Sequence, residues 1–305
     1  MAIKMKNPGI YQALIAQLDK TARHNRQGSF RTKERYYEAM QRFCRFLADE
    51  YHLQKLANVS GKHLTAYVIH MQAEEKSAST IKTDLSAIRF FHDKLERAKY
   101  RLPANDDLSV ELERRRFGQV DRTWSEREFN LFLDACARDG REDFAAVARM
   151  TWYVALRIHE CFRIDTAMAE QALREDAITV KGKGGKIRTV PINESIWEVL
   201  KKFLDVTPRG HKLFVADDVP THSAIAQLQM YIYKVRPLIQ DEGSTRPMTH
   251  HGLRHSYAVR TWQKLVDGGM SQLNASLRVS QLLGHERPDV TNVYLASISD
   301  TGIRN

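Results

Sequence analysis

The sequence has little cysteine, no long apolar run and no repetitive tract, and each absence narrows what the chain can be. Its three cysteines, Cys44, Cys136 and Cys161, are scattered in apolar surroundings. They argue against a disulfide framework or a zinc site and favour a reducing, cytoplasmic compartment. No stretch approaches about 18 consecutive apolar residues, so we expect no transmembrane helix. The basic N-terminus has no apolar segment behind it, so we expect no signal peptide.

What the chain does have is positive charge, and this charge is unevenly distributed. The net charge is +10 over 305 residues, a length that allows two domains with separate cores. Residues 1–116 carry 22 Lys+Arg and 14 Asp+Glu, whereas residues 117–305 carry 25 and 23. The first part therefore favours a polyanionic partner such as nucleic acid, although a solvated basic face without a partner has the same composition.

Apolar periodicity predicts a helical N-terminal domain. Apolar residues recur at spacings of three and four in four segments, namely Ile10 to Leu18, Tyr37 to Leu47, Leu64 to Met71 and Ile81 to Phe91. Polar and charged residues then accumulate between about 101 and 122. We therefore predict a helical domain over 1–112, a linker over 113–122 and a second domain over 123–305.

The second domain is predicted to be helical around one small β-hairpin, so the fold class is mainly α. Ser125 and Glu128 have the spacing of a capping box, and helices follow to about 165. The β-favouring segments 177–180 and 187–191 flank a glycine-rich turn, which is typical of a hairpin. Further helices are predicted at about 193–205, 223–240, 249–266, 271–283 and 288–298.

Six polar side chains along the second domain suit attack on a phosphodiester. A tyrosine can attack phosphorus if a base or nearby cations assist its deprotonation, and arginines can stabilise the charge that builds on the phosphate oxygens. A lysine can protonate the leaving oxygen. The six, in chain order, are Arg157, Lys183, His251, Arg254, His285 and Tyr294.

Spacing predicts how some of these residues lie. His251 and Arg254 are three apart on a predicted helix and share a face, as do Arg157 and Glu160, so Glu160 can orient Arg157 by a charge-assisted hydrogen bond. His251 and His255 have the spacing of a metal pair, but no third ligand with metal spacing follows. We therefore expect no metal.

Each of these residues also has an ordinary interpretation. Arg157 suits a surface ion pair with Glu160, Lys183 suits a solvated turn, His285 suits a helix C-cap, and Tyr294 suits a half-buried core position. These interpretations are independent of one another, and together they do not explain why all six residues occur in this order along the chain.

The ordered motifs resemble those of the tyrosine recombinase, or phage integrase, family, in the branch that includes Xer and Cre. The family pattern G-L-R-x-x-E appears as residues 155–160, with Ala155 in place of glycine. The hairpin pattern G-K-G-x-K-x-R-x-V-P spans 182–191, and H-x-x-R-H spans 251–255. The L-L-G-H box spans 282–285, with the family tyrosine nine residues later at Tyr294.

This resemblance implies an N-terminal core-binding (SAM-like) domain and a C-terminal catalytic domain. It implies that Tyr294 is the nucleophile and forms a 3′-phosphotyrosyl link, that Arg157 and Arg254 hold the phosphate, and that Lys183 is the general acid. His251 then assists proton transfer, His285 supports the transition state, and Glu160 and His255 support the other residues. DNA contacts are expected from Lys76, Ser79, Thr80, Lys82, Arg89, Lys186 and Arg188.

The implied function is site-specific recombination of double-stranded DNA through a Holliday junction. The protein would act as a homotetramer on synapsed sites, with accessory proteins possible and with no cofactor, because the phosphotyrosine retains the bond energy for resealing. Two alternatives stay open at this point. One is a nicking and closing enzyme related to type IB topoisomerases, and the other is a DNA-binding regulator that keeps the fold without the chemistry.

Overall fold

The computed structural model describes residues 5–23, 30–114, 120–182, 185 and 187–284. The chain divides into two compact units, Met1–Arg115 and Arg116–Asn305. Within the described residues, no helix is both long and apolar enough to cross a membrane. Over the same residues the architecture is mainly helical with one small antiparallel sheet, as the sequence predicted.

The first unit contains the four predicted helices. Apolar side chains at helical spacing, such as Leu14, Phe43 and Leu85, are completely buried and form one core. The Ser77 hydroxyl accepts the Thr80 backbone N–H at 3.2 Å, so it caps the fourth helix. The helices are α1 (Pro8–Arg23), α2 (Phe30–Tyr51), α3 (Gly61–Ala73) and α4 (Ala78–His92), with a 3-10 turn at Leu56–Asn58.

A buried carboxylate joins three of these helices. Asp84 of α4 is 1% exposed. It accepts hydrogen bonds from Arg42 of α2 at 2.8 and 3.1 Å and from the Tyr67 hydroxyl of α3 at 3.0 Å. The buried charge is therefore compensated by both a cation and a neutral donor, as burial requires.

The second unit contains the predicted capping box, hairpin and helices. The Ser125 hydroxyl accepts the Glu128 N–H at 3.1 Å, and the Glu128 carboxylate accepts the Ser125 N–H at 2.8 Å. The helices are α5 (Glu126–Arg138), α6 (Glu142–Val154), α7 (Ile158–Cys161), α8 (Thr166–Glu175), α9 (Glu194–Leu204), α10 (Thr221–Ile239), α11 (His250–Asp267) and α12 (Gln272–Leu283). The helix predicted at 288–298 lies outside the described residues.

The hairpin consists of β1 (Ala177–Lys181) and β2 (Ile187–Pro191), with Val180 opposite Arg188. Helix α8, which leads into β1, was not predicted from the sequence. The helix begins at an N-cap, where the Asp165 side chain accepts the Met168 N–H at 2.8 Å, and its buried face includes Ala169 and Ala172. Alanine is a weak marker of a buried helical face because its side chain is small.

Candidate active site

A left-handed turn between α6 and α7 positions the first arginine. Ala155 ends α6 with φ +53°, a conformation that glycine adopts more readily than other residues. The chain then restarts as α7, with Arg157 at its N-cap. The position at which the sequence pattern expects glycine is therefore one at which the backbone has positive φ.

The Glu160 carboxylate holds Arg157 from one turn further along α7. It accepts the Arg157 backbone N–H at 2.7 Å and an Arg157 guanidinium N–H at 3.0 Å. Glu160 is 2% exposed, so its charge needs strong partners. The two bonds match the predicted orientation of Arg157 by Glu160.

Arg188 of β2 is the second partner of Glu160. Its guanidinium donates to both carboxylate oxygens, at 2.8 and 2.7 Å, and to the Ala155 carbonyl at 3.3 Å. Burial favours a higher pKa for Glu160, but the Arg188 and Arg157 hydrogen bonds outweigh it and lower the pKa to about 2. The family resemblance implies a DNA contact for Arg188. With its side chain 10% exposed and bound to Glu160, its position instead favours a role inside the site.

The second arginine of the pattern, Arg254, is completely buried in α11. Its guanidinium donates to the backbone carbonyl of Ala155 and to that of Leu283 at the end of α12. The Ala155 carbonyl therefore accepts from both Arg254 and Arg188. These bonds connect the α6–α7 turn, α11, β2 and the end of α12.

The histidines beside Arg254 are held in the neutral form. The His251 and His255 rings contact edge to face, with centroids 5.2 Å apart. Burial, and secondarily the charge of Arg254, lowers the pKa of His251 to about 4, while burial and neighbouring His251 lower that of His255 to about 3. His251 is exposed to solvent, which weakens this lowering of its pKa. A lowered pKa nevertheless leaves the ring neutral near pH 7. A neutral imidazole can accept a proton from a nucleophile.

A cavity of about 380 Å³ lies in this part of the second unit. Arg157, His251 and Arg254, which the sequence pattern selected, all line it. Part of the wall comes from α10, which the sequence analysis does not assign to the site. Its lining residues there are Gln229, Ile232, Tyr233 and Arg236. The feature of the sequence that could have indicated this wall is Tyr233, an aromatic residue outside the apolar stripe of its helix. In the structure Tyr233 is 64% exposed.

The segment before α5 anchors the start of α11. The Trp124 N–H donates to the Ser256 hydroxyl at 2.7 Å, and its indole N–H donates to the Thr249 carbonyl at 3.0 Å. Gly252 makes this approach possible, because a Cβ there would lie 2.3 Å from the Arg122 carbonyl oxygen. The H-x-x-R-H helix is thereby fixed relative to the rest of the unit.

Several predicted residues lie elsewhere or outside the described part of the chain. Lys183, Lys186, His285 and Tyr294 are among the residues that the structure does not describe. The structure does describe Gly284, which ends α12 with φ +65° directly before His285, as the sequence predicted for a helix end. Among the described residues, no group of three or more His, Cys, Asp or Glu side chains could hold a metal ion.

The predicted DNA contacts of the first unit cluster around the start of α4. Lys76 and Ser79 are exposed, whereas Thr80 and Lys82 are partly exposed. Arg89, near the end of α4, differs from them. Its guanidinium donates to the Pro103 carbonyl at 2.7 Å and the Asn105 side chain at 2.8 Å, which favours a role in holding this loop.

Comparison with protein-family models identifies both parts of the chain. Residues 123–300 match the model described as "Phage integrase family", and residues 15–99 match "Phage integrase, N-terminal SAM-like domain". Tyrosine recombinase XerD of Halalkalibacterium halodurans is 23% identical, with 86% of each chain covered. Tyrosine recombinase XerD of Vibrio cholerae is 24% identical, with 93% of this chain and 91% of the relative covered.

Solved structures share the fold. A lambda integrase (75-356) dimer bound to a COC′ core site matches with a TM-score of 0.63 at 16% identity, covering 93% of this chain and 94% of that one. XerH site-specific recombinase bound to difH substrate matches with a TM-score of 0.60 at 16% identity, covering 99% and 91%. The first family model alone spans more than half of the sequence. The chain therefore belongs to the phage integrase family.

Proposed function

We propose that this protein is a site-specific DNA recombinase that cuts and rejoins double-stranded DNA through a tyrosine-linked intermediate. The observation that carries the proposal is the cavity in which Arg157, His251 and Arg254 meet, within the segment that matches the phage integrase family. A cavity with two guanidinium groups and a neutral imidazole suits a phosphodiester, because the guanidinium groups are permanent cations and the imidazole can take a proton.

The proposed reaction transfers one phosphodiester linkage to the enzyme and back. The Tyr294 oxygen bonds to phosphorus, the bond from phosphorus to the 5′ oxygen breaks, and Lys183 protonates that oxygen. His251 takes the phenol proton, and His285 supports the charged transition state. A 5′-hydroxyl of the partner strand then attacks the 3′-phosphotyrosine, which releases Tyr294. The number of phosphoester bonds is conserved, so resealing requires no external energy source.

The two arginines would act in different ways. Arg157 is partly exposed and can donate directly to a phosphate oxygen. Arg254 is buried and already donates to two backbone carbonyls. It therefore contributes its positive charge from the cavity wall, where a low dielectric strengthens the interaction. The guanidinium carries five N–H groups, so its two bonds to carbonyls do not by themselves prevent a further bond to a phosphate oxygen.

DNA would also be held by the first unit. Lys76, Ser79, Thr80 and Lys82 lie at or near the start of α4 and are accessible to a phosphate backbone. The excess of positive charge in residues 1–116 supports this placement. Lys186 of the hairpin is the further proposed contact. Lambda integrase has been solved as a tetramer bound to a Holliday junction, and we propose the same assembly for this chain.

The proposal is tested by first identifying the DNA site that the protein cleaves and then measuring strand exchange between two copies of that site. The purified protein is incubated with DNA fragments from the neighbourhood of its own gene, and protein–DNA complexes that survive denaturant are captured and sequenced. Two copies of the recovered site are then placed on one linear DNA. We expect recombinant products joined at the cleavage position. Nicking and resealing without exchange would indicate a topoisomerase-like enzyme, and DNA binding without any covalent complex would indicate a regulator.

A further inference from the structure

We propose that Arg188 is a positioning residue, which holds Glu160 and the Ala155 carbonyl so that Arg157 and Arg254 meet the phosphate correctly. This inference rests on the proposed recombinase function. Arg188 is held rigidly, because it makes two bonds to one carboxylate and a third to a backbone carbonyl. Its low exposure leaves little surface with which to contact DNA itself.

The first effect of Arg188 is on Arg157. The Glu160 carboxylate is buried and must have its charge compensated. Arg188 compensates this charge by donating hydrogen bonds to both carboxylate oxygens. Arg157 therefore donates only one side-chain hydrogen bond to Glu160, at 3.0 Å. Without Arg188, the carboxylate would draw the Arg157 guanidinium toward itself, and Arg157 would become a weaker partner for the phosphate.

The second effect is on Arg254. Both Arg188 and Arg254 donate to the Ala155 carbonyl, so Arg188 helps to fix the acceptor that orients Arg254. Arg188 also packs against the end of α12, where a Cβ on Gly284 would lie 2.9 Å from the Arg188 Cδ. One side chain of β2 thus supports the elements that carry both cations.

The variants for the test are Arg188→Met and Arg188→Lys in the full-length protein, with Arg246→Met as the matched control. Methionine keeps much of the apolar stem and removes the charge, whereas lysine keeps the charge and loses the bidentate geometry. Arg246 also donates to a completely buried glutamate, Glu128, at 3.0 Å, but it does not line the catalytic cavity. The control therefore reproduces the loss of an arginine–buried glutamate pair in the same unit.

Each variant is compared on two substrates, a normal phosphodiester and a methylphosphonate at the scissile position. The methylphosphonate lacks one anionic oxygen, so it depends less on correctly placed cations. A 1 Å misplacement at a catalytic site can cost about 10²-fold in rate. We expect Arg188→Met to lower single-turnover cleavage of the phosphodiester by about this factor and cleavage of the methylphosphonate by much less. Arg188→Lys should lie between wild type and Arg188→Met.

Three outcomes would overturn the inference. An equal loss on both substrates, as expected for Arg246→Met, would reduce Arg188 to a folding role. A loss of DNA affinity without a loss of cleavage rate at saturating protein would show that Arg188 contacts DNA and does not position the arginines. Unchanged cleavage of the phosphodiester would mean that Arg157 and Arg254 do not need it. Failure of the wild-type protein to cleave any DNA would instead refute the proposed function.

Discussion

The substitution Gly252→Ala should damage the second unit although it adds only one methyl group. The new Cβ would lie 2.3 Å from the Arg122 carbonyl oxygen and 2.8 Å from two atoms of the Trp124 ring. Ordinary contacts of this kind are about 3.5 Å, so the segment around Trp124 must move by about an ångström. That movement strains the hydrogen bonds of Trp124 to Ser256 and to Thr249.

The expected loss can be estimated from these contacts. Overpacking costs about 1–3 kcal/mol, and each weakened hydrogen bond costs about 1 kcal/mol. Alanine regains up to about 1 kcal/mol of helix propensity. We therefore expect the free energy of unfolding to fall by about 2–4 kcal/mol, since Gly252 lies at the junction of two rigid elements.

Urea unfolding followed by tryptophan fluorescence measures this loss directly. The chain's four tryptophans, at positions 124, 152, 197 and 262, all lie in the second unit, so the signal reports that unit. The control is Gly268→Ala at the end of the same helix, where a Cβ comes no closer than 3.3 Å. The reasoning is refuted if Gly252→Ala is within about 0.5 kcal/mol of wild type, the range of neutral surface changes.

Three further predictions concern catalysis, acid stability and DNA binding. Arg157→Ala should lower single-turnover DNA cleavage by about 10²–10³-fold, as the loss of one charge-stabilising donor does; a loss below tenfold would mean that Arg157 does not contact the phosphate. Burial lowers the pKa of His250 and His255 to about 3 from 6.5, so the unfolded chain binds more protons and stability falls as pH drops below about 6.5. Urea unfolding at each pH should show the free energy of unfolding falling by at most about 1.4 kcal/mol per pH unit for each histidine, and a flat profile from pH 7 to 5 would contradict this. If about 6–10 phosphates are contacted, DNA affinity should fall about 10³–10⁵-fold between 50 and 200 mM salt, and a shallow dependence would argue against a broad backbone interface.

Features set by neighbours along the chain could be predicted from the sequence. The Ser125–Glu128 capping box and the hairpin follow from short-range spacing, and the structure has both. The grouping of His251 with Arg254 and of Arg157 with Glu160 follows from helical periodicity. The family resemblance then placed both groups at one site, and in the structure Arg157, His251 and Arg254 line one cavity while Glu160 is hydrogen-bonded to Arg157.

Features set by tertiary contacts could not be predicted in the same way. Arg188 pairs with Glu160 across 28 positions of sequence, whereas the family resemblance suggested a DNA contact for it. Gln229 and Tyr233 reach the cavity only because α10 packs beside α7, a contact that no spacing within α10 encodes. Alanine rarely adopts a positive φ, so the residue at position 155 did not itself predict that conformation, and only the glycine of the family pattern pointed to it. The contacts that place these residues at the site form only when the helices and the hairpin pack together.

The covalent bond between Tyr294 and DNA is the most direct test of the proposed chemistry. A nicked suicide substrate that carries the target site traps the intermediate, and mass spectrometry of the digested adduct locates the modified residue. We predict a 3′-phosphate on Tyr294 in the wild-type protein, and we predict that Tyr294→Phe binds the same DNA without forming an adduct. An adduct in the Tyr294→Phe protein, or one mapped to another residue, would contradict the account.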